Sequence, residues 1–299
     1  MDAVVSAAPG WSSRFVRLSD GRRTHYLEAG EGTPVVLLHG GGPGAAARFS
    51  WPATIPALAE RYRVLAPDLY GYGWSDRPKG ADFSHEAHAR QLRDFVDTLC
   101  GEAVGLVGNS AGAYVATKFA LDNPDQVLGL FTLSSGTVAY AMGIANPDHL
   151  PARQALKAFD GTEAPLRAFL EGLLHTPPSD ELVKARVKIA AEPAAMDAWR
   201  SMGAYQRRLA TDPNLWQRFS LRGRLETATF PQHVLWGLDD KFAPISQARE
   251  LAAMLPHAVY EELEDCGHQC QNDRPDAVNE RILAFFDQVV AGGTVAAAP

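Results

Sequence analysis

Cysteine is scarce in this chain, with Cys100, Cys266 and Cys270 the only three among 299 residues. So few thiols cannot build a disulfide framework at this size, and an odd number leaves at least one free, which fits a reducing cytoplasm. Sustained Lys/Arg runs are also missing: 28 basic residues face 35 acidic ones, a formal charge of −7. Phosphate binding needs clustered cations, so neither nucleic acid nor anionic lipid is expected as a partner. No uninterrupted apolar stretch reaches membrane-spanning length, and residues 1–10 lack the basic and apolar regions of a secretory signal. Neither G-x-x-x-x-G-K-[ST] nor G-x-G-x-x-G completes itself anywhere, and H-E-x-x-H is absent. No metal or other cofactor is expected. His85 and His88, three apart on an expected helix, have no third ligand nearby and read as solvated face residues.

What is present is a core. Hydrophobic residues make up 46% and charged residues 21%, too apolar a balance for disorder. There is no internal repeat. Short apolar runs bounded by turn residues alternate with longer amphipathic stretches, the pattern of a mostly parallel sheet wrapped by helices. Residues 14–29 read as an antiparallel hairpin turning at Asp20-Gly21. Buried strands follow at 34–38, 62–66, 103–107 and 127–133, with a helix through Tyr114, Val115, Lys118, Phe119 and Ala120 stopped by Asn123-Pro124. From 137 to 221 the β-branched runs vanish and helical stretches are broken by Pro151, Pro165, Pro177-Pro178, Pro193 and Pro213. Strand signals return at 233–236 and 258–263, before a terminal helix over 276–290. The expected organisation is one α/β core, 1–136 with 222–299, interrupted by a helical cap at 137–221. The ends, 1–11 and 291–299, are expected to fray.

Gly108-Asn109-Ser110-Ala111-Gly112 is the strongest chemical signal, a G-x-S-x-G pattern between an expected strand and an expected helix. A nucleophile on so tight a turn sits in a strained conformation, and side chains two residues to either side would collide. The turn also places Ser110 at a helix N-terminus, whose free N–H groups favour developing negative charge. Serine needs a base, and the base an orienting acid. The strand 233–236 runs into Gly237-Leu238-Asp239-Asp240, and the strand ending at Leu263 runs into Glu264-Asp265-Cys266-Gly267-His268. Asp240 and His268 are therefore assigned as acid and base, with Asp239 a solvated turn residue. The glycine run Gly40-Gly41-Gly42 lets backbone N–H donors approach an oxyanion, and the expected donor pair is Ala111 and Gly41. Pro43 contributes no donor.

With these residues in view the chain resembles the α/β-hydrolases, in which the triad follows the order Ser, Asp, His, and more narrowly the meta-cleavage product hydrolases. The resemblance rests on His39-Gly40-Gly41-Gly42-Pro43-Gly44-Ala45, on Tyr62-Arg63-Val64-Leu65-Ala66-Pro67-Asp68 with Gly71-Tyr72-Gly73-Trp74-Ser75-Asp76-Arg77-Pro78, on Val107-Gly108-Asn109-Ser110, on 237–244 and on Cys266-Gly267-His268. It implies an α/β-hydrolase fold with a helical cap and cleavage of a carbon–carbon bond in 2-hydroxy-6-oxo-hexa-2,4-dienoates. It also implies that Arg186 binds the dienoate carboxylate, where the residue alone would pass for a solvated helical arginine. Gly40, Gly42 and Asn109 are expected to face the substrate. Two positions depart from the family: Ser50 stands where an asparagine is usual, and Gln269 where a tryptophan follows the histidine. Both normally face the dienoate.

The expected activity is that of a cofactor-independent serine hydrolase, with C–C cleavage first and a carboxylesterase or lactonase as the alternative. A hydrolase-fold receptor with vestigial turnover is a further reading, whereas dehalogenation is disfavoured because it needs a carboxylate where Ser110 stands. Trp51, Phe159, Phe169, Trp199 and Tyr205 are candidate pocket aromatics. The expected partner is a small molecule, and self-association is allowed.

Overall fold

The computed structural model describes residues 10–292, so most of the expected fraying at the two ends lies outside the described residues. Eight strands form one sheet: β1 (Ser12–Arg17), β2 (Arg23–Ala29), β3 (Pro34–Leu38), β4 (Arg63–Pro67), β5 (Val104–Asn109), β6 (Val127–Leu133), β7 (Gln232–Gly237) and β8 (Val259–Leu263). Their order across the sheet is β1-β2-β4-β3-β5-β6-β7-β8. β2 runs antiparallel to β1 and β4, and the pairings from β4 to β8 are parallel. The hairpin closes as expected, but Gly21 alone takes positive φ, while the Asp20 carboxylate accepts the Arg22 N–H.

The strands are Val/Leu runs because both faces of the sheet are covered. β3, β5 and β7 are buried at every residue. The pleat sorts β3 side chains alternately: Val36 and Leu38 pack with Leu106, Tyr114 and Phe119, whereas Val35 and Leu37 pack with Val107, Phe131 and Phe286. The first of these clusters packs against the helix Ala111–Asp122, the second against the helix Pro275–Val290.

Between β6 and β7 the chain forms helices Gly136–Ala141, Pro151–Lys157, Glu163–Glu171, Asp180–Ala190, Pro193–Leu209 and Pro213–Phe219. Pro151, Pro193 and Pro213 stand at the first helical positions and so start helices where the sequence reading had them break helices. A proline there loses no hydrogen bond and brings a helical φ. Phe159, Leu166, Phe169, Leu170 and Val183 give this segment an apolar cluster of its own.

The solvated reading of His85 and His88 is wrong. Both are buried on the helix His85–Leu99. The His85 ring is enclosed by Tyr114, Tyr205 and Phe219 at centroid distances of 5.0, 5.5 and 5.5 Å. His88 Nε2–H donates to the Tyr70 carbonyl at 2.9 Å. Burial pushes their pKa values down to about 3 and about 4, so both are neutral core rings. The helix is covered by later helices on the side that a sheet-only picture leaves to solvent.

Candidate active site

β5 ends at Asn109 and the helix Ala111–Asp122 begins two residues later, leaving Ser110 as the turn, at φ 55° and ψ −119°. That conformation is costly for a residue with a Cβ, and the surroundings enforce it. The Ser110 N–H donates to the Leu133 carbonyl at 3.0 Å, and the Ser135 hydroxyl donates to the Ser110 carbonyl at 2.6 Å. A side chain at Gly108 would stand 2.5 Å from the Ala113 Cα, and one at Gly112 would overlap the Leu38 carbonyl. Both glycines are therefore required by close approach.

Against Ser110 lies His268, whose Nε2 is 2.8 Å from the serine Oγ and whose Nδ1 is 2.7 Å from Asp240 Oδ2. The histidine is 2% exposed and the aspartate 5%. An ionised carboxylate only accepts, so Nδ1 carries the proton and Nε2 is free to take one from the serine. Asp240 Oδ1 accepts the N–H groups of Phe242 and Ala243 at 2.8 and 2.7 Å, which fixes the carboxylate plane. Asp239 instead points outward and meets the His175 ring at 3.0 Å.

The glycine loop packs on this turn. A Cβ at Gly40 would lie 3.2 Å from the Ser110 Cβ, and one at Gly41 3.6 Å from the Ala111 Cβ. At Gly42, with φ 111°, it would meet the Phe169 ring at 2.6 Å. His39 steadies the loop from beneath: Nδ1–H donates to the Gly40 carbonyl at 2.8 Å, and Nε2 accepts the Leu69 N–H at 3.0 Å.

Arg186, on the helix Asp180–Ala190, reaches the same loop, with Nε and Nη2 3.2 and 2.9 Å from the Pro43 carbonyl. It is 3% exposed and forms no ion pair among the described residues. Burial pushes its pKa down to about 10, which leaves it a cation at neutral pH. The remaining expected contacts fare differently. Asn109 donates from Nδ2 to the Leu133 and His268 carbonyls at 3.1 and 2.9 Å, so it ties the loop that carries His268 to β5. Gln269 Oε1 accepts from Asn272 in its own loop, and Ser50 is buried at the end of the short helix Ala47–Ser50. Among the aromatics, Phe159 and Trp199 line a small cavity with Pro43, Tyr72, Ile189 and Met202. Trp51 belongs to the core on the opposite sheet face, and Tyr205 to the His85 cluster.

A profile described as the alpha/beta hydrolase fold matches residues 33–275. The chain belongs to this α/β-hydrolase family. Over 288 residues it is 31% identical to a 2-hydroxy-6-oxononadienedioate/2-hydroxy-6-oxononatrienedioate hydrolase of Cupriavidus pinatubonensis, spanning 92% of this chain and 95% of that one. The structure of a meta-cleavage product hydrolase from Pseudomonas fluorescens superposes with a TM-score of 0.79 at 25% identity, covering 92% and 97% of the two chains. A 2-hydroxy-6-oxo-6-phenylhexa-2,4-dienoate hydrolase from a Rhodococcus species gives 0.76 at 25% identity, over 92% and 100%. The protein is thus a hydrolase similar to the meta-cleavage product enzymes. No helix among the described residues is long and apolar enough to cross a membrane.

Several groups that the sequence reading passed over contribute to the site. Tyr72 places its hydroxyl beside Gly41 and Gly42, and the Phe242 ring packs 4.8 Å from that of His268. Arg153, buried on the helix Pro151–Lys157, donates to the Phe242 carbonyl at 2.9 Å and lies over its ring at 4.4 Å. These are contacts between distant segments with no local motif. The one available signal was the run Asp240-Lys241-Phe242, which put Phe242 two residues from Asp240.

Proposed function

We propose that Ser110, His268 and Asp240 are nucleophile, base and orienting acid of a hydrolase that cleaves the C–C bond of a 2-hydroxy-6-oxo-dienoate beneath a cap formed by residues 137–221. The observation that carries the substrate reading is Arg186. A buried guanidinium without a carboxylate is costly, and one beside the glycine loop is matched by the carboxylate of an incoming dienoate. The names of the relatives point to the same substrate class.

In this reaction the dienol first ketonises. His268 then takes the Ser110 proton as Oγ attacks the 6-oxo carbon, and the oxyanion is held by the Gly41 and Ala111 N–H groups, a contribution of about 3 kcal/mol. The C–C bond breaks, its electron pair enters the dienolate, and that fragment takes the proton from His268 while Arg186 holds its carboxylate. His268 then deprotonates water, which attacks the acyl carbon, and returns that proton to Ser110 Oγ as the carboxylic acid leaves. The three free cysteines agree with a cytoplasmic setting.

Esterase or lactonase activity is the second reading, favoured by Gln269, whose side chain is engaged by Asn272. A coloured 2-hydroxy-6-oxo-dienoate and a panel of nitrophenyl esters separate the two. The dienoate should bleach rapidly, and Arg186→Met should cut its kcat/KM at least about tenfold more than that of a neutral ester. Rapid ester turnover without bleaching overturns the C–C reading.

A further inference from the structure

The backbone around His268 is held from across the chain. Its N–H donates to the Leu173 carbonyl at 2.7 Å, and the Gln269 N–H reaches the same oxygen at 3.3 Å. Leu173 lies just past the helix Glu163–Glu171, among the helices between β6 and β7. Asp273 closes this connection from the other side. Its Oδ2 accepts the Gly267 N–H at 2.9 Å and its Oδ1 the His175 N–H at 3.0 Å, with the Thr176 N–H directed at the same carboxylate. One side chain therefore satisfies donors on both sides of the seam. The fit leaves no slack, since a Cβ at Gly267 would stand 2.7 Å from the Leu173 carbonyl oxygen and 3.1 Å from the His175 nitrogen.

We propose that Asp273 is a positioning residue, which locks the strap 173–176 to the loop 267–269 and so holds the His268 ring in line between Asp240 and Ser110. This rests on Ser110, His268 and Asp240 acting together. The two ring bonds, 2.7 and 2.8 Å, are both at their optimum, so a shift well under 1 Å lengthens one of them. Asn109 secures only the carbonyl of His268; its N–H depends on the strap. A carboxylate suits the task because it only accepts, whereas an amide would turn its NH2 against one of the backbone donors.

The test follows phosphonylation of Ser110 by a fluorophosphonate. In that reaction Oγ bonds to phosphorus, its proton passes to His268 and fluoride leaves, so the natural substrate is not involved. A wild-type chain that labels no faster than Ser110→Ala overturns the catalytic assignment itself. With that assignment standing, a folded Asp273→Asn should label at least about tenfold more slowly, and its low-field Nδ1–H proton resonance from the His268–Asp240 bond should move. Asp273→Glu, which keeps the carboxylate, should label at an intermediate rate. Labelling of a folded Asp273→Asn at the wild-type rate, or slowed with an unmoved resonance, overturns the proposal. If Asp273→Asn does not fold, the same readouts on Asp273→Glu decide: slower labelling with a moved resonance supports the lock, and wild-type values refute it.

Discussion

Two Ser–His–Asp chains stand out among the described residues. At the end of β5, Ser110 meets His268 at 2.8 Å and His268 meets Asp240 at 2.7 Å. At the sheet edge, Ser13 on β1 meets His25 on β2 at 2.8 Å, and His25 Nδ1–H donates to Asp68 at 2.8 Å. Each aspartate also accepts two backbone N–H groups, Phe242 and Ala243 in the first case, Ala47 and Trp74 in the second. Distance does not distinguish them. What differs is the serine: Ser110 is strained, stands at a helix N-terminus and faces a glycine loop, whereas Ser13 lies in a regular strand opposite Leu27. The edge chain pins β1 and β2 to the loop after β4, and of the two only the Ser110 chain has a helix N-terminus and a glycine loop beside its serine.

The largest effect that would sharpen this contrast is at Ser110, the proposed nucleophile. Ser110→Ala should lower turnover by about four powers of ten or more, over 5 kcal/mol in transition-state stabilisation, with the Tm within a few degrees of wild type. Steady-state kinetics beside thermal melts decide it, and substantial residual turnover would erase the distinction.

The two acids should then separate by what they damage. Asp68 is fully buried, which works to raise its pKa, but the hydrogen bonds from His25 and from the Ala47 N–H outweigh this and hold the carboxyl below its usual range. A group depressed in the folded state contributes stability that is present above its unfolded pKa near 3.8 and lost as pH falls through the folded value. Asp68→Asn should therefore cost about 3 kcal/mol at pH 7, and its Tm deficit should narrow as the pH falls below 3.8. Its folded fraction should turn over normally. Asp240→Asn should do the reverse, lowering kcat at least about a hundredfold for a smaller change in Tm. A kinetic defect in Asp68→Asn matching that of Asp240→Asn would break the comparison.

The turn at Ser110 was legible because its physics is local. Glycine, serine and glycine fall within five residues at a strand end, and Asp240 and His268 each follow a readable strand end. The same holds for the Val/Leu strands, whose burial on both faces is written into their composition. The edge chain was not legible, since Ser13, His25 and Asp68 sit 12 and 43 residues apart with no motif among them. His85 was misread for a related reason: two of the rings that cover it, Tyr205 and Phe219, come from helices more than 100 positions later, and His88 is met by Tyr70 and Tyr72 from a loop outside its own helix. Arg153 and Asp273 act on backbone groups across the seam, and such contacts depend on tertiary placement that no spacing rule encodes.

The smallest effect is the most pointed. Ser13→Ala removes the donor facing His25 Nε2 at a partly exposed edge, where a neutral hydrogen bond is worth about 1 kcal/mol. A Tm drop of a few degrees with kcat unchanged is expected. Mass spectrometry after fluorophosphonate treatment should find the adduct on Ser110 and none on Ser13. Serine activation needs more than an oriented imidazole, because the negative charge formed on attack must have donors waiting for it. An adduct on Ser13 would mean that the bond distances alone suffice, and the strained turn, the helix terminus and the glycine loop would then have to be explained by something other than catalysis.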